Sequence, residues 1–320
     1  MNAITPSDAL DHIAIRAECK RLKEQEGLDY TAQAKQSGVP YGTFTNYVND
    51  TYQGNVDKVG ANLKRWLDTR GERAATAAVL PLGPGFVETA TARNGLAMLA
   101  FAQAAPDVVV LAGGAGIGKT ELAKRYRATH PNVWLATMQP CTSGIHTALA
   151  EVAEVMSVEE RSANRLSRAI GRRVKDTGAL LIVDEAQHLQ TAALDQIRSL
   201  HDAWGIGIAL IGNESVYSRL EGEGRKSSLA QLYSRVGMRL TQAKPKPEDI
   251  AALIAAWGIG DPSTVKTLTA IAGKPGALRG MTKVLRLAAM LGGHDPDGGP
   301  VITEANVRGA WRQLGNQMVD

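Results

Sequence analysis

The chain has 320 residues, enough for one large domain with one or two small ones, and its 44% hydrophobic content supports a buried core. Its net charge of +4 permits an acidic partner such as nucleic acid without requiring one. Two cysteines, Cys19 and Cys141, exclude a disulfide framework or a cysteine zinc site; with no signal-like core before Asp11 and no membrane-length apolar run, the expectation is a soluble, cytoplasmic protein without a membrane partner.

The first elements in chain order are short helices. Ser7 is positioned to cap a helix through Leu10, Ile13, Ala14 and Ala17 that stops near Gly27. A second helix covers Thr31 to Gln36, and Ser37-Gly38-Val39 makes a turn. Pro40 suits the first position of a third helix, where a missing N–H costs nothing. A fourth carries Val59, Leu63, Trp66 and Leu67 on one face. Together they predict a helix-turn-helix domain over residues 1–70. The dense glycine and proline between Gly71 and Gly85 predict a linker, residues 71–86.

Four continuous apolar runs follow: Asp107–Leu111, Asn132–Ala136, Ala179–Val183 and Gly207–Ile211. Each reads as a strand buried on both faces, with helical patterns between them. The alternation predicts an α/β core with a parallel sheet over residues 87–244. Beyond Pro245 the patterns are helical only: Glu248–Trp257, Thr264–Ala272, Ala277–Leu291 and Glu304–Leu314. They predict a small helical lid over residues 245–320.

After the first strand comes Gly113-Gly114-Ala115-Gly116-Ile117-Gly118-Lys119-Thr120, a complete G-x-x-x-x-G-K-[ST] pattern opening a helix. Glycines let backbone N–H groups turn toward phosphate oxygens, and the helix start presents its positive end. The spacing assigns Lys119 to the β- and γ-phosphates of ATP and the Thr120 hydroxyl to Mg²⁺, with Glu121 beside them. Asp184 ends the third strand, where a carboxylate needs a metal or partner, and is the second Mg²⁺ ligand. Glu185 is the candidate general base for the attacking water. Asn213, at the end of the fourth strand, is placed to orient that water or to cap the helix that follows.

These elements, in this order, resemble the Walker A, Walker B and sensor-1 segments of AAA+ ATPases. The resemblance makes Arg279, in Lys274-Pro275-Gly276-Ala277-Leu278-Arg279, a lid residue sensing the phosphate in cis. It makes Arg235, in Leu232-Tyr233-Ser234-Arg235, the arginine finger that acts on a neighbouring subunit. More narrowly, the chain resembles the phage Mu B family of ATP-dependent target-DNA activators. The stretches that carry this are the Ser37-Gly38 turn and its following helix, Leu63–Leu67, Phe86–Thr89, Asn132-Val133-Trp134, Leu166–Ala169, Asp184-Glu185-Ala186 and Lys274–Arg279. Two departures stand out: Gln187 replaces an acidic residue, and the loop Glu159–Arg165 holds two acids where the family is more basic.

The resemblance implies ATP-driven assembly of a homo-oligomer or helical filament on double-stranded DNA of almost any sequence. It implies delivery of that DNA to a transposase, then release on hydrolysis stimulated by DNA or partner, in a bacterial host's cytoplasm. Arg161 and Arg165 carry over from the family's DNA-contacting loop. Arg168, Arg172, Arg173 and Lys175 extend the series, and cations of this kind bind phosphates without regard to sequence; a solvated helix face is the bland alternative. In the first domain Tyr41, Thr43, Thr45, Asn46 and Tyr47 are expected to project from the recognition helix toward DNA; a small helical domain used for protein contacts is the alternative. Two other functions fit the motifs. Asp184-Glu185-Ala186-Gln187-His188 imitates a DExH helicase box, which suits a helicase or helicase loader, although helicases of that type use two tandem α/β domains. A helix-turn-helix regulator with ATP as a mere ligand is the third reading.

Overall fold

A computed structural model describes residues 10–79, 83–216, 235–293 and 299–315. The chain divides into two compact units, residues 1–81 and 82–320.

Among the described residues the first unit has four helices. α1 (His12–Glu26) is capped by Asp11, whose carboxylate accepts from the Ala14 N–H, and stops at left-handed Gly27. Ser7, the expected cap, lies outside the described residues. α2 (Tyr30–Ser37) is capped by Asp29 in the same way. α3 (Tyr41–Val48) starts one residue after Pro40, which is the cap and not the first helical residue. α4 (Val56–Val79) is longer than expected. The segment read as linker from Gly71 is helical as far as Val79. Ala74, Ala75, Ala77 and Ala78 have the highest helix propensity and outweigh the ~1 kcal/mol cost of one glycine.

Phe44, Tyr47, Leu22 and Leu63 fill this unit's core. Tyr47 therefore does not project toward a ligand: its hydroxyl meets His12 Nδ1 at 2.7 Å, and its carbonyl accepts from Arg16 Nε at 2.8 Å. Of the other four, Tyr41 and Asn46 are exposed, while Thr43 and Thr45 are half-buried.

The second unit opens with α5 (Ala90–Ala104), capped by Thr89. Then come β1 (Val108–Gly113), α6 (Lys119–Thr129), β2 (Val133–Thr137), α7 (Ile145–Val155), α8 (Ala163–Val174), β3 (Leu180–Asp184), α9 (Thr191–Trp204), β4 (Gly207–Gly212) and β5 (Val236–Gln242). The sheet is parallel throughout, in the order β2-β3-β4-β1-β5. Its two faces bury separate clusters. Leu149, Leu166, Ile170, Ile197 and Leu200 cover one; Leu99, Leu122 and Tyr126 cover the other. β5 was not expected from the sequence. It is an edge strand whose residues are exposed or half-buried, so it lacks the apolar run that marked the other four.

The helical remainder is α10 (Pro247–Ala256), α11 (Pro262–Ala272), α12 (Ala277–Gly292) and α13 (Glu304–Gln313). Leu268, Met281, Val284, Leu285 and Val307 form its own core. Asp249 of α10, 1% exposed, joins this layer to the α/β core. Its carboxylate accepts from the Thr91 N–H at 2.9 Å, the Thr91 hydroxyl at 2.5 Å and the Lys246 N–H at 3.1 Å. Burial pushes the carboxyl up, but these donors win and hold it below the usual aspartate value.

A depressed carboxylate contributes stability above its unfolded pKa of about 4 and loses it as pH falls through the folded value. Asp249→Ala leaves buried donors unmet and is expected to cost about 3 kcal/mol. Denaturant unfolding of the variant should also lose part of the stability decline expected below about pH 4 in the unaltered chain.

Candidate nucleotide site

β1, β3 and β4 run the same way, so Gly113, Asp184 and Gly212 finish at one edge of the sheet. The glycine-rich loop turns there into α6, with Gly116 and Gly118 at φ +83° and +100°. Only glycine adopts these values without strain. The Gly114 N–H donates to the Gln242 carbonyl at 3.1 Å, so β5 braces the loop from its outer side. Lys119 Nζ donates to the carbonyls of Gly113 at 2.7 Å and Gly114 at 2.8 Å. Thr120 Oγ1 donates to Asp184 Oδ2 at 2.7 Å, and the Glu185 N–H donates to Asp184 Oδ1 at 2.9 Å.

Burial raises the Asp184 carboxyl above the usual range, against hydrogen bonds from Thr120 and the Glu185 backbone. Burial also pulls Lys119 below the usual lysine value, against the nearby Glu185 and Asp184 charges. The two shifts have one meaning. Each group is held where its charged form is poorly solvated, which favours a ligand that supplies the missing counter-charge. Thr120 and Asp184 present two oxygen donors side by side. That set fits a hard dication whose remaining ligands are phosphate oxygens and water. Among the described residues no three His, Cys, Asp or Glu side chains gather to hold a metal by themselves.

Glu185 has φ 54° and ψ 36°, a left-handed backbone on a residue with a side chain. Such a conformation costs on the order of 1–3 kcal/mol and concentrates at functional positions. Asn213 is exposed at the tip of β4; its side-chain oxygen accepts from the Ser215 N–H at 2.9 Å and the Ser215 hydroxyl at 2.6 Å. Its oxygen therefore caps the turn that follows, while the residue still lines the cleft with Glu185. Glu121 is exposed on α6 and pairs with Lys124 at 2.8 Å.

The cleft measures about 960 Å³ and runs from the loop to Phe86, Val87, Leu253, Trp257 and Leu278. A volume of this order accommodates a nucleotide, and the apolar end suits a base. Trp257, on the residue that closes α10, carries no motif and was not singled out from the sequence. Arg279 lies in the first turn of α12, and its N–H donates to the Gly116 carbonyl at 3.1 Å. Its side chain is exposed and lines the same cleft.

Arg235 is elsewhere. It precedes β5, at the sheet edge opposite the loop, and its Nε donates to Asp202 of α9 at 3.1 Å. The length of β5 separates it from its own phosphate loop by about 20 Å. Leu232-Tyr233-Ser234, the rest of its motif, lies outside the described residues. Arg165, Arg168 and Arg172 are exposed along one face of α8, with Arg161 exposed one turn before it. The opposite face buries Leu166, Ile170 and Val174. Arg173 is exposed too, but its guanidinium lies over the Trp134 ring, 5.3 Å from the centroid.

A P-loop with a strand-end carboxylate pair, on this sheet order and beneath a helical layer, defines an AAA-type ATPase. Residues 103–220 match the model of the AAA domain, and residues 234–314 match that of the Mu B transposition protein, C terminal. The chain belongs to the Mu B family. It is 37% identical over 302 residues to the ATP-dependent target DNA activator B of Escherichia phage Mu, across 94% of this chain and 95% of that protein. It is also 37% identical over 254 residues to the Mu-like prophage FluMu DNA transposition protein B of Haemophilus influenzae, across 78% of this chain and 88% of that one. Among solved structures, the Aeropyrum pernix ORC2 protein shares the fold with a TM-score of 0.55 at 17% identity, across 76% of this chain and 72% of that one.

A Cβ on Gly116 would lie 2.1 Å from the Gly276 carbonyl oxygen. Gly116→Ala is therefore expected to push α12 off the loop and weaken ATP binding by more than about tenfold, while the α/β core stays folded. Nucleotide titration with a fluorescent ATP analogue, alongside circular dichroism, checks both halves.

Proposed function

We propose that this chain is an ATP-dependent DNA-binding protein that assembles on target DNA, presents it to a transposase and is released by hydrolysis. The observation that carries the reading is a phosphate-loop pattern whose Thr120 donates to Asp184, in a chain that aligns nearly end to end with named target-DNA activators. Those relatives favour an activator over a helicase or a simple regulator.

In this reading the loop N–H groups and Lys119 hold the β- and γ-phosphates, and Arg279 reaches them from the lid. Thr120 and Asp184 hold Mg²⁺, which when bound neutralises phosphate charge. Glu185 accepts the proton of the attacking water, which Asn213 orients. Arg235 lies too far from its own loop to serve it, so it completes the site of the next subunit. That requirement makes hydrolysis a property of the homo-oligomer. Arg161, Arg165, Arg168 and Arg172 form the DNA-contacting row, with Arg173 on its flank. From Arg165 to Arg172 the row spans about 10 Å of helix. A few phosphate contacts per subunit give weak, sequence-independent binding, and a row of subunits multiplies it. Thr43 and Asn46 offer the first unit a second, uncharged DNA contact.

Lys119→Ala is expected to abolish nucleotide binding and ATP-dependent assembly together. Electron microscopy with random duplex DNA should show filaments with ATP and unaltered protein, and none with ADP or the variant. Filaments of Lys119→Ala with ATP would refute the site. Arg235→Ala and Glu185→Gln should each lose turnover alone, and mixing the two proteins should restore a measurable fraction of it. Replacing Arg165, Arg168 and Arg172 by alanine should weaken DNA binding, and flatten its salt dependence by about 2–3 units of logarithmic slope.

A further inference from the structure

We infer that Gln187 is a positioning residue for hydrolysis, a neutral connector that ties the Glu185 carboxylate to the tip of β4. The inference rests on the reading of Glu185 as the base. Gln187 lies in the single helical turn Ala186–His188 that follows β3 and Glu185. Its Nε2 donates to Glu185 Oε2, and its Oε1 accepts from the Asn213 N–H at 3.2 Å. Gln187, Glu185 and Asn213 all line the nucleotide cleft.

The chemistry of the link suits an amide. One end donates to a carboxylate and the other accepts from an N–H, and a primary amide does both. A carboxylate at position 187 keeps the acceptor and loses the donor, and it sets a second negative charge against Glu185. The neighbouring backbone is shaped to admit the link. A Cβ on Gly212 would lie 2.5 Å from Gln187 Oε1, so the amide crosses β4 where no side chain stands. The link grips the backbone of Asn213, because the Asn213 side-chain oxygen is engaged with Ser215. A shift of the β4 tip is therefore passed to Glu185 without any change of rotamer at Asn213. Two strand ends that face the same phosphate thus move as one piece.

The test uses the full chain, measuring DNA-stimulated ATP turnover, ATP affinity and the melting midpoint. Gln187→Ala, and the similarly long but apolar Gln187→Met, are expected to lower kcat by about tenfold or more, with ATP affinity within about threefold and an unchanged midpoint. In the Glu185→Gln background, adding Gln187→Ala should change residual turnover by less than about twofold, because both substitutions act on one carboxylate. The inference is overturned by a kcat within about twofold of the unaltered chain in either single variant. It is equally overturned by loss of ATP affinity in step with kcat, or by a full extra loss in the double variant. Undiminished turnover in Glu185→Gln alone is a different result: it removes Glu185 as the base, and the inference falls with that reading.

Discussion

A parallel sheet delivers the carboxyl ends of all its strands to one edge, and the site depends on that constraint. Adjacent strands are about 4.8 Å apart. β1 and β3 are not neighbours but flank β4, so Gly113 and Asp184 finish roughly 10 Å apart. The glycine loop and the first turn of α6 cross that interval and set Thr120 against Asp184. The strand between them, β4, contributes Asn213. No single element carries the site; the direction of the strands assembles it.

The helical layer is held to this edge by two contacts of different kinds. One is backbone against backbone: the Arg279 N–H on the Gly116 carbonyl, with Gly276 packed on Gly116. It joins the lid to the phosphate loop itself. The other is the buried Asp249 carboxylate on Thr91, one residue into α5. Val87 and Phe86 lie just before that helix and form the apolar end of the cleft. The lid thus touches both ends of the cleft, one through a peptide group and the other through a buried charge.

Much of this was legible in the sequence, for reasons that vary by element. β1, β3 and β4 bury every residue, so their apolar runs announce them. β5 is an edge, and its only signal is the alternation of Val236, Met238 and Leu240 with Gly237, Arg239 and Thr241. The phosphate loop was readable because its chemistry is local: one stretch supplies the turns, the lysine and the hydroxyl. Tyr47 misled because a helix of eight residues has no obvious inner face until its neighbours pack on it. Trp257 carries no motif, and Gln187 stands in one only as a departure from the family's acid. What each side chain faces depends on which strand tip or helix end lies opposite, and that is set by the tertiary fold.

The left-handed backbone of Glu185 has a consequence for how this position drifts over evolutionary time. Glycine and asparagine relax such a conformation, and glutamate does not. Selection for folding alone would move position 185 away from glutamate. If position 185 serves the proposed hydrolysis, a copy freed from that task should lose this glutamate early, and its descendants should be somewhat steadier for it.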